Sequence, residues 1–319
     1  MRHKLPAAAI IVIVPLVTAL LLTLFAWPSA RLEPRDLPIG VAGPPAAVNT
    51  VEQRLGAQGD AFDVHRYPGE AAARQAIAQR EVYGAFVAGP SGLKVLTASA
   101  ASGTVAQLLT NAAQEGHGAG SATQRVEDVA PAPRGAALGS SVLPLMLVGI
   151  LTGVLAALAA SGPARRASLL LGGSVLAGLT GAVVVQSWLD VVGGEWLANA
   201  GALGLTVVAI AAAVTGLYAL LGERGALLGA LTMVLVGNPF SGVGSAPELL
   251  PEPVGGLGQL MPPGAGGNLL RSTGFFDGAA AAGHLAVLAT WALAGLALLL
   301  VAARRRERAG SARPAVARV

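Results

Sequence analysis

Six long apolar stretches alternate with short polar connections along this chain, and one large hydrophilic segment separates the first stretch from the other five. The first runs over residues 6–27, and the next three cover about 140–160, 167–189 and 199–221. The last covers about 280–303. Each is long enough, at 1.5 Å per residue, to cross a hydrocarbon core of about 30 Å as a helix. The fifth stretch is different. Only residues 226–236 are continuously apolar before Gly237-Asn238-Pro239, which is about 17 Å of helix. Some forty apolar but Gly/Pro-rich residues follow. Irregular backbone at membrane depth is tolerated where protein covers it or where it lines a cavity. The pattern therefore predicts a fifth span that breaks near Asn238, followed by re-entrant or half-helical pieces over 237–279.

The hydrophilic segment 28–138 reads as a small α/β domain and its linker. Strand patterns at 37–42, 62–67, 82–88 and 93–99 alternate with helical patterns at 46–55, 69–80 and 104–114. The order βαβαββα predicts a sheet with helices against it. Gly89-Pro90-Ser91-Gly92 is a hairpin turn, and residues 116–139 read as a linker back to the membrane. The fold class is thus an α-helical multi-pass membrane protein with six spans and an extracytoplasmic α/β domain inserted between spans one and two. Residues 1–27 form the first span, 139–303 the five-span membrane domain, and 304–319 a basic tail.

Charge sets the direction. Arg2 and Lys4, Arg165-Arg166, Arg224 and the Arg304–Arg308 cluster all fall on one side of a six-span layout. Lys and Arg beside spans mark the cytoplasmic side. The opposite connections hold Asp190, Glu195, Glu248, Glu252 and Asp277 against Arg271, and Trp27, Trp188 and Trp196 fall at that boundary. Both termini are expected inside, in the cell membrane, with 28–138 outside. A cleaved signal peptide is the competing reading of residues 1–27, but the apolar run is long for one and Trp27-Pro28-Ser29-Ala30 is a poor cleavage site.

Composition agrees. Of 319 residues 54% are hydrophobic and 12% charged, against roughly 25% charged in soluble domains. The net charge of +4 is local to span ends, and segment 28–138 is nearly balanced, so a nucleic-acid partner is not expected. With no cysteine there is no disulfide, thiolate metal site or thiol chemistry.

Candidate chemistry is sparse. His3, His65, His117 and His284 lack metal-ligand spacing, and His65 reads as a solvent-facing strand residue. His284 is the ionisable side chain inside a predicted span and is the candidate intramembrane polar group. The spans otherwise contain no Asp, Glu, Lys or Arg, and no phosphate loop fits Lys4 or Lys94. Transport would need a partner for its energy. No catalytic arrangement and no cofactor or metal are expected. An enzyme built on Asp190, Glu195, Glu248, Glu252, Arg271 and Asp277 is the remotest alternative. Gly149/Gly153 and Gly225/Gly229 have the spacing of close helix approach, a candidate for dimerisation.

One amino-terminal span, a sizeable outer domain and five spans with a broken fifth resemble the ABC-2 type transporter permeases. The nearer likeness is to the phage-infection-protein-like branch of high-GC Gram-positive bacteria. It rests on Val126–Pro131 with Arg134-Gly135, Leu143-Pro144-Leu145, Gly237–Gly242, Pro247–Pro251, Leu260–Pro263, Leu270-Arg271 and Phe276–Gly278. The resemblance implies the membrane permease subunit of an ABC-type exporter, acting as a homodimer or heterodimer with a separate ATPase on an unknown hydrophobic or amphipathic substrate. It also implies an outer-gate motif at Asn238, Pro239, Ser241, Gly242, Pro251, Pro262, Arg271 and Asp277. The chain departs from the family pattern in having few residues before span one and a short connection at 161–167. The alternative is a non-transporting, membrane-anchored surface protein whose domain binds cell-envelope components or partners.

Overall fold

The computed structural model describes residues 7–89, 92–115, 125–133 and 138–311. Arg2, His3, Lys4, His117, Arg134, Gly135 and residues 312–319 lie outside them.

Helix α1 (Ala7–Ala30) leads into a five-stranded sheet in the order β2-β1-β3-β4-β5. Its strands are β1 (Leu37–Ala42), β2 (Phe62–Tyr67), β3 (Gly84–Gly89), β4 (Gly92–Thr97) and β5 (Arg125–Asp128). β1 pairs in parallel with β2 and β3, β3 and β4 are antiparallel, and β4 runs parallel to β5. Helices α2 (Pro45–Gly56), α3 (Glu70–Ala78) and α4 (Gly103–Glu115) supply the crossovers. The central strands are apolar on both faces because both are covered, as parallel pairing requires. Leu37, Ile39 and Val41 pack with Val48, Leu55, Val105 and Leu109 on the α2/α4 face. Ala42, Ala85, Val87 and Leu96 pack with Ala73, Ala76 and Ile77 of α3 on the other.

β5 corrects the sequence reading. Residues 116–139 were expected to be all linker, yet Arg125–Asp128 adds an edge strand with Lys94–Thr97 as its partner. Four residues whose side chains are mostly exposed, set among Gly and Pro, carry too little periodicity to announce a strand.

The helical part is built around α7 (Trp196–Leu221), which contacts α5 (Leu138–Ala159), α6 (Pro163–Ala182), α8 (Glu223–Thr232), α10 (Pro262–Phe275) and α11 (Ala281–Ser311). Small residues let these helices close on it. A Cβ on Gly178 of α6 would lie 2.4 Å from the Ala200 carbonyl oxygen, and one on Gly295 of α11 would lie 2.3 Å from the Ala212 carbonyl carbon. The Thr215 hydroxyl donates across to the Gly153 carbonyl at 2.9 Å. Lipid tails are as apolar as leucine, so contact area and such bonds hold helices together in a membrane.

That packing also accounts for the Gly-x-x-x-Gly pairs. Gly149 faces Ile210, Gly153 faces Ala211, and Gly225 and Gly229 face Leu217 and Val214. Both Gly-x-x-x-Gly pairs are thus taken up against α7 within one chain.

Five helical stretches are long and apolar enough to cross a membrane: Ile11–Ala30, Ser141–Ala159, Pro163–Trp188, Trp196–Leu221 and Ala281–Arg308. The region of the expected fifth span is not among them. α8 continues as a π-helical turn, Met233–Gly237, and the chain then leaves the helix. The final helix runs on through Arg304–Arg308, so that cluster is helical rather than a separate tail.

Candidate functional site

Between Gly237 and α11 the chain folds into α9 (Val254–Gln259) and α10, almost all of α10 being buried. Pro262 and Pro263 open α10, where proline's missing N–H costs nothing. Gly237 is small because Pro263 packs on it, with Cγ 2.8 Å from where a Cβ would stand. Gly258 has even less choice, since a Cβ there would sit 1.6 Å from the Phe240 carbonyl oxygen.

A polar network runs through this apolar segment. The Ser241 hydroxyl donates to the Asn238 carbonyl at 2.8 Å, and the Gln259 side chain donates to the Ser241 carbonyl at 2.7 Å. The Asn268 amide then donates to Gln259 Oε1 at 2.6 Å. Asn268 Oδ1 accepts from two arginines. Arg271, in α10 and 4% exposed, reaches it through Nη1. Arg80, two residues past α3, reaches it through Nη2 at 3.1 Å.

Both arginines also tie the sheet domain to the helical part. Arg80 Nη1 donates to the Asn268 carbonyl at 3.1 Å and to the Ser272 hydroxyl at 2.6 Å, and its guanidinium lies 5.6 Å from the Phe276 ring centre. Arg271 donates to the Ala100 carbonyl of the domain at 3.2 Å and to the Val243 carbonyl at 2.7 Å. Nearby, the Tyr83 hydroxyl donates to Glu248 at 2.8 Å, and the Glu33 and Arg35 amides bond to the Leu249 and Glu248 carbonyls. Ala246 and Leu249 enter the α2/α4 core, and Phe276 enters the α3 core. The domain is therefore docked on segment 238–279 by both apolar and polar contacts.

The charge balance is uneven. Among the described residues, neither Arg80 nor Arg271 forms an ion pair, and both donate to neutral acceptors. Burial lowers the Arg80 pKa below the ordinary guanidinium value. Burial, with the Glu248 carboxylate beside it, raises the Tyr83 hydroxyl well above an ordinary phenol, so it stays protonated and donates.

Two clefts open along the seam. One of about 210 Å³ is lined by Arg80, Tyr83, Glu248, Gln259, Asn268 and His284. The other, about 640 Å³, lies between the start of α4, the Val243–Ser245 turn and α10.

The expected site residues are only partly drawn together. Asn238, Ser241 and Arg271 join the network, and Pro239 lies between the first two. Gly242 adopts φ +63, a left-handed turn that brings it against Pro247. Pro251 and Pro262 are buried supports. Asp277 is exposed, at φ +48, and makes no hydrogen bond or ion pair among the described residues. His284 faces the smaller cleft with Arg80 and Glu248. His65 is exposed on β2 and contacts Asp63 at 2.9 Å. Arg80, Gln259, Asn268 and Ser272 were missed. Asn268 and Gln259 were legible as isolated amides in an apolar segment, but nothing local marks Arg80 as facing them.

Scans against protein-family models, curated proteins and solved structures return no match.

Proposed function

We propose that this chain is the permease subunit of an ABC-type exporter of the ABC-2 kind, moving a hydrophobic or amphipathic substrate with energy from a separate ATPase. The observation that carries the reading is the interrupted helix. α8 and its π turn span 15 residues, about 22 Å of helix, and then give way to buried short helices instead of a polar loop. Interrupted backbone of this kind is tolerated where protein covers it or where it lines a cavity, and in transporters broken helices form the substrate site. The seam above it would be the outer gate, with Asn238, Ser241, Gln259 and Asn268 holding it shut.

In this reading the short helix completes a sixth crossing, and the sheet domain lies outside the cell. Arg166 and Arg306 line one cleft at the end of the bundle opposite that domain. Such an end suits the cytoplasmic side, where basic residues accumulate. α1 is covered along only 6% of its span, and the apolar faces of α5 and α6 are largely open. Two copies, or this chain and a second permease, would enclose the pathway between such faces.

Affinity purification in mild detergent, with a transport assay on a deletion strain, tests the proposal. Recovery of an ATPase and accumulation of an amphipathic substrate in the deletion strain are expected. Absence of both would overturn it.

A further inference from the structure

The 640 Å³ cleft has a one-sided chemistry. Arg271 forms part of its wall, and Ser102, Thr104, Gln107 and Ser245 line it with hydroxyl and amide groups. No Asp or Glu is among its lining residues. Asp128 is bonded to the wall through Ser99, whose N–H and Oγ engage both its oxygens.

Arg271 is the informative residue. It is 4% exposed, and its three bonds go to the Ala100 and Val243 carbonyls and the Asn268 amide oxygen. A guanidinium has five N–H donors, so two remain. Among the described residues no carboxylate forms an ion pair with it, Glu248 acting on its charge only from a distance, and Arg80 sits behind it on the same Asn268 oxygen. A buried, unpaired charge is costly unless an anion joins it. The opposite wall adds donors. Ser102 Oγ accepts the Val105 amide at 3.2 Å, and the first-turn amides of Gly103 and Thr104 have no intrahelical acceptor. Free helix amides and an arginine in the walls of one cleft are donors of the kind a phosphate takes.

We infer that this cleft binds a phosphate ester of glycerol-headgroup size, its phosphate between Arg271 and the first turn of α4 and its body against Phe275. The volume falls within the range of small-molecule sites. Gly139, in the first turn of α5, also lines the cleft, so the phosphate has two sources: a lipid headgroup at the membrane surface or a free phosphate ester. This inference does not depend on transport.

Thermal unfolding of the full-length protein in nanodiscs, followed by tryptophan fluorescence, tests it. Glycerol 3-phosphate added to phosphatidylcholine discs probes the free source, with glycerol as the neutral control. Phosphatidylglycerol discs against phosphatidylcholine discs probe the lipid source. Stabilisation by either anionic probe and not by glycerol is expected. Gln107 is exposed at the wall, so Gln107→Glu adds a charge without touching Arg271, and it should weaken the effect roughly tenfold. A Cβ on Gly244 meets only the Gly139 Cα, at 4.0 Å, so Gly244→Leu should fold normally while filling the cleft and abolishing the effect. No stabilisation by either anionic probe, equal stabilisation by glycerol, or unchanged response in both variants would overturn the site.

Discussion

Arg80 and Asn268 stand 188 positions apart, yet one guanidinium donates to both the side-chain and the backbone oxygen of that asparagine, each at 3.1 Å. The first residue belongs to the sheet domain and the second to the buried helix α10. The pair joins the two halves of the molecule at the point where the helical part is least regular. Whatever moves the domain must also load the segment that follows the broken helix.

Replacing Arg80 with alanine removes three donor contacts to Asn268 and Ser272 and should lower stability by about 2–3 kcal/mol. Arg80→Lys keeps the charge but not the fork, and should recover less than half of the loss. Limited proteolysis at the 238–250 segment, alongside thermal unfolding in detergent, distinguishes undocking from global collapse.

Gly258 and Gly256 lie two residues apart in the same short helix and should respond oppositely to alanine. At Gly258 the new Cβ would stand 1.6 Å from the Phe240 carbonyl oxygen, whereas at Gly256 it meets nothing within 4 Å. Gly258→Ala should cost at least about 3 kcal/mol through backbone displacement. Gly256→Ala should be neutral or stabilising by up to about 1 kcal/mol. Comparing the unfolding temperatures of the two variants settles the point.

The sheet domain carries a pH-sensitive cluster. Arg74 and Lys94 both bond Glu70 and Glu127, and their hydrogen bonds hold Glu127 down to about 2 and Glu70 below its ordinary value. Folded-state pKa values below the unfolded ones mean that this contribution is present above about pH 4.5 and fades as pH falls toward 2. Both carboxylates are solvent-accessible, so salt should weaken the effect. Unfolding temperatures measured from pH 6 to pH 2.5 should decline, and Glu127→Gln should flatten the decline.

A chain without cysteine is well suited to mapping sidedness. Gln53 on α2 and Ser161 between α5 and α6 are both exposed. In intact cells, Gln53→Cys should react with a membrane-impermeant maleimide, and Ser161→Cys should react only after the membrane is opened. The reverse pattern would invert the proposed topology.

The amino-acid sequence by itself determined five span-length helices and four of the five strands. Apolar runs of span length, basic residues at their ends, and strand patterns at 37–42 and 62–67 are local signals, readable because period and length depend on neighbours in the chain. The break at Gly237-Asn238-Pro239 was legible for the same reason, and the described helix stops at Gly237. Tertiary structure alone decided which polar groups meet. Arg271 looked like one cation among outer acids, but it is buried and bonded to neutral oxygens. β5 needed the β4 edge to become a strand, and the Gly-x-x-x-Gly pairs needed α7 to show which face they serve. A buried arginine finds its acceptors across the fold, and no periodicity along the chain encodes that distance.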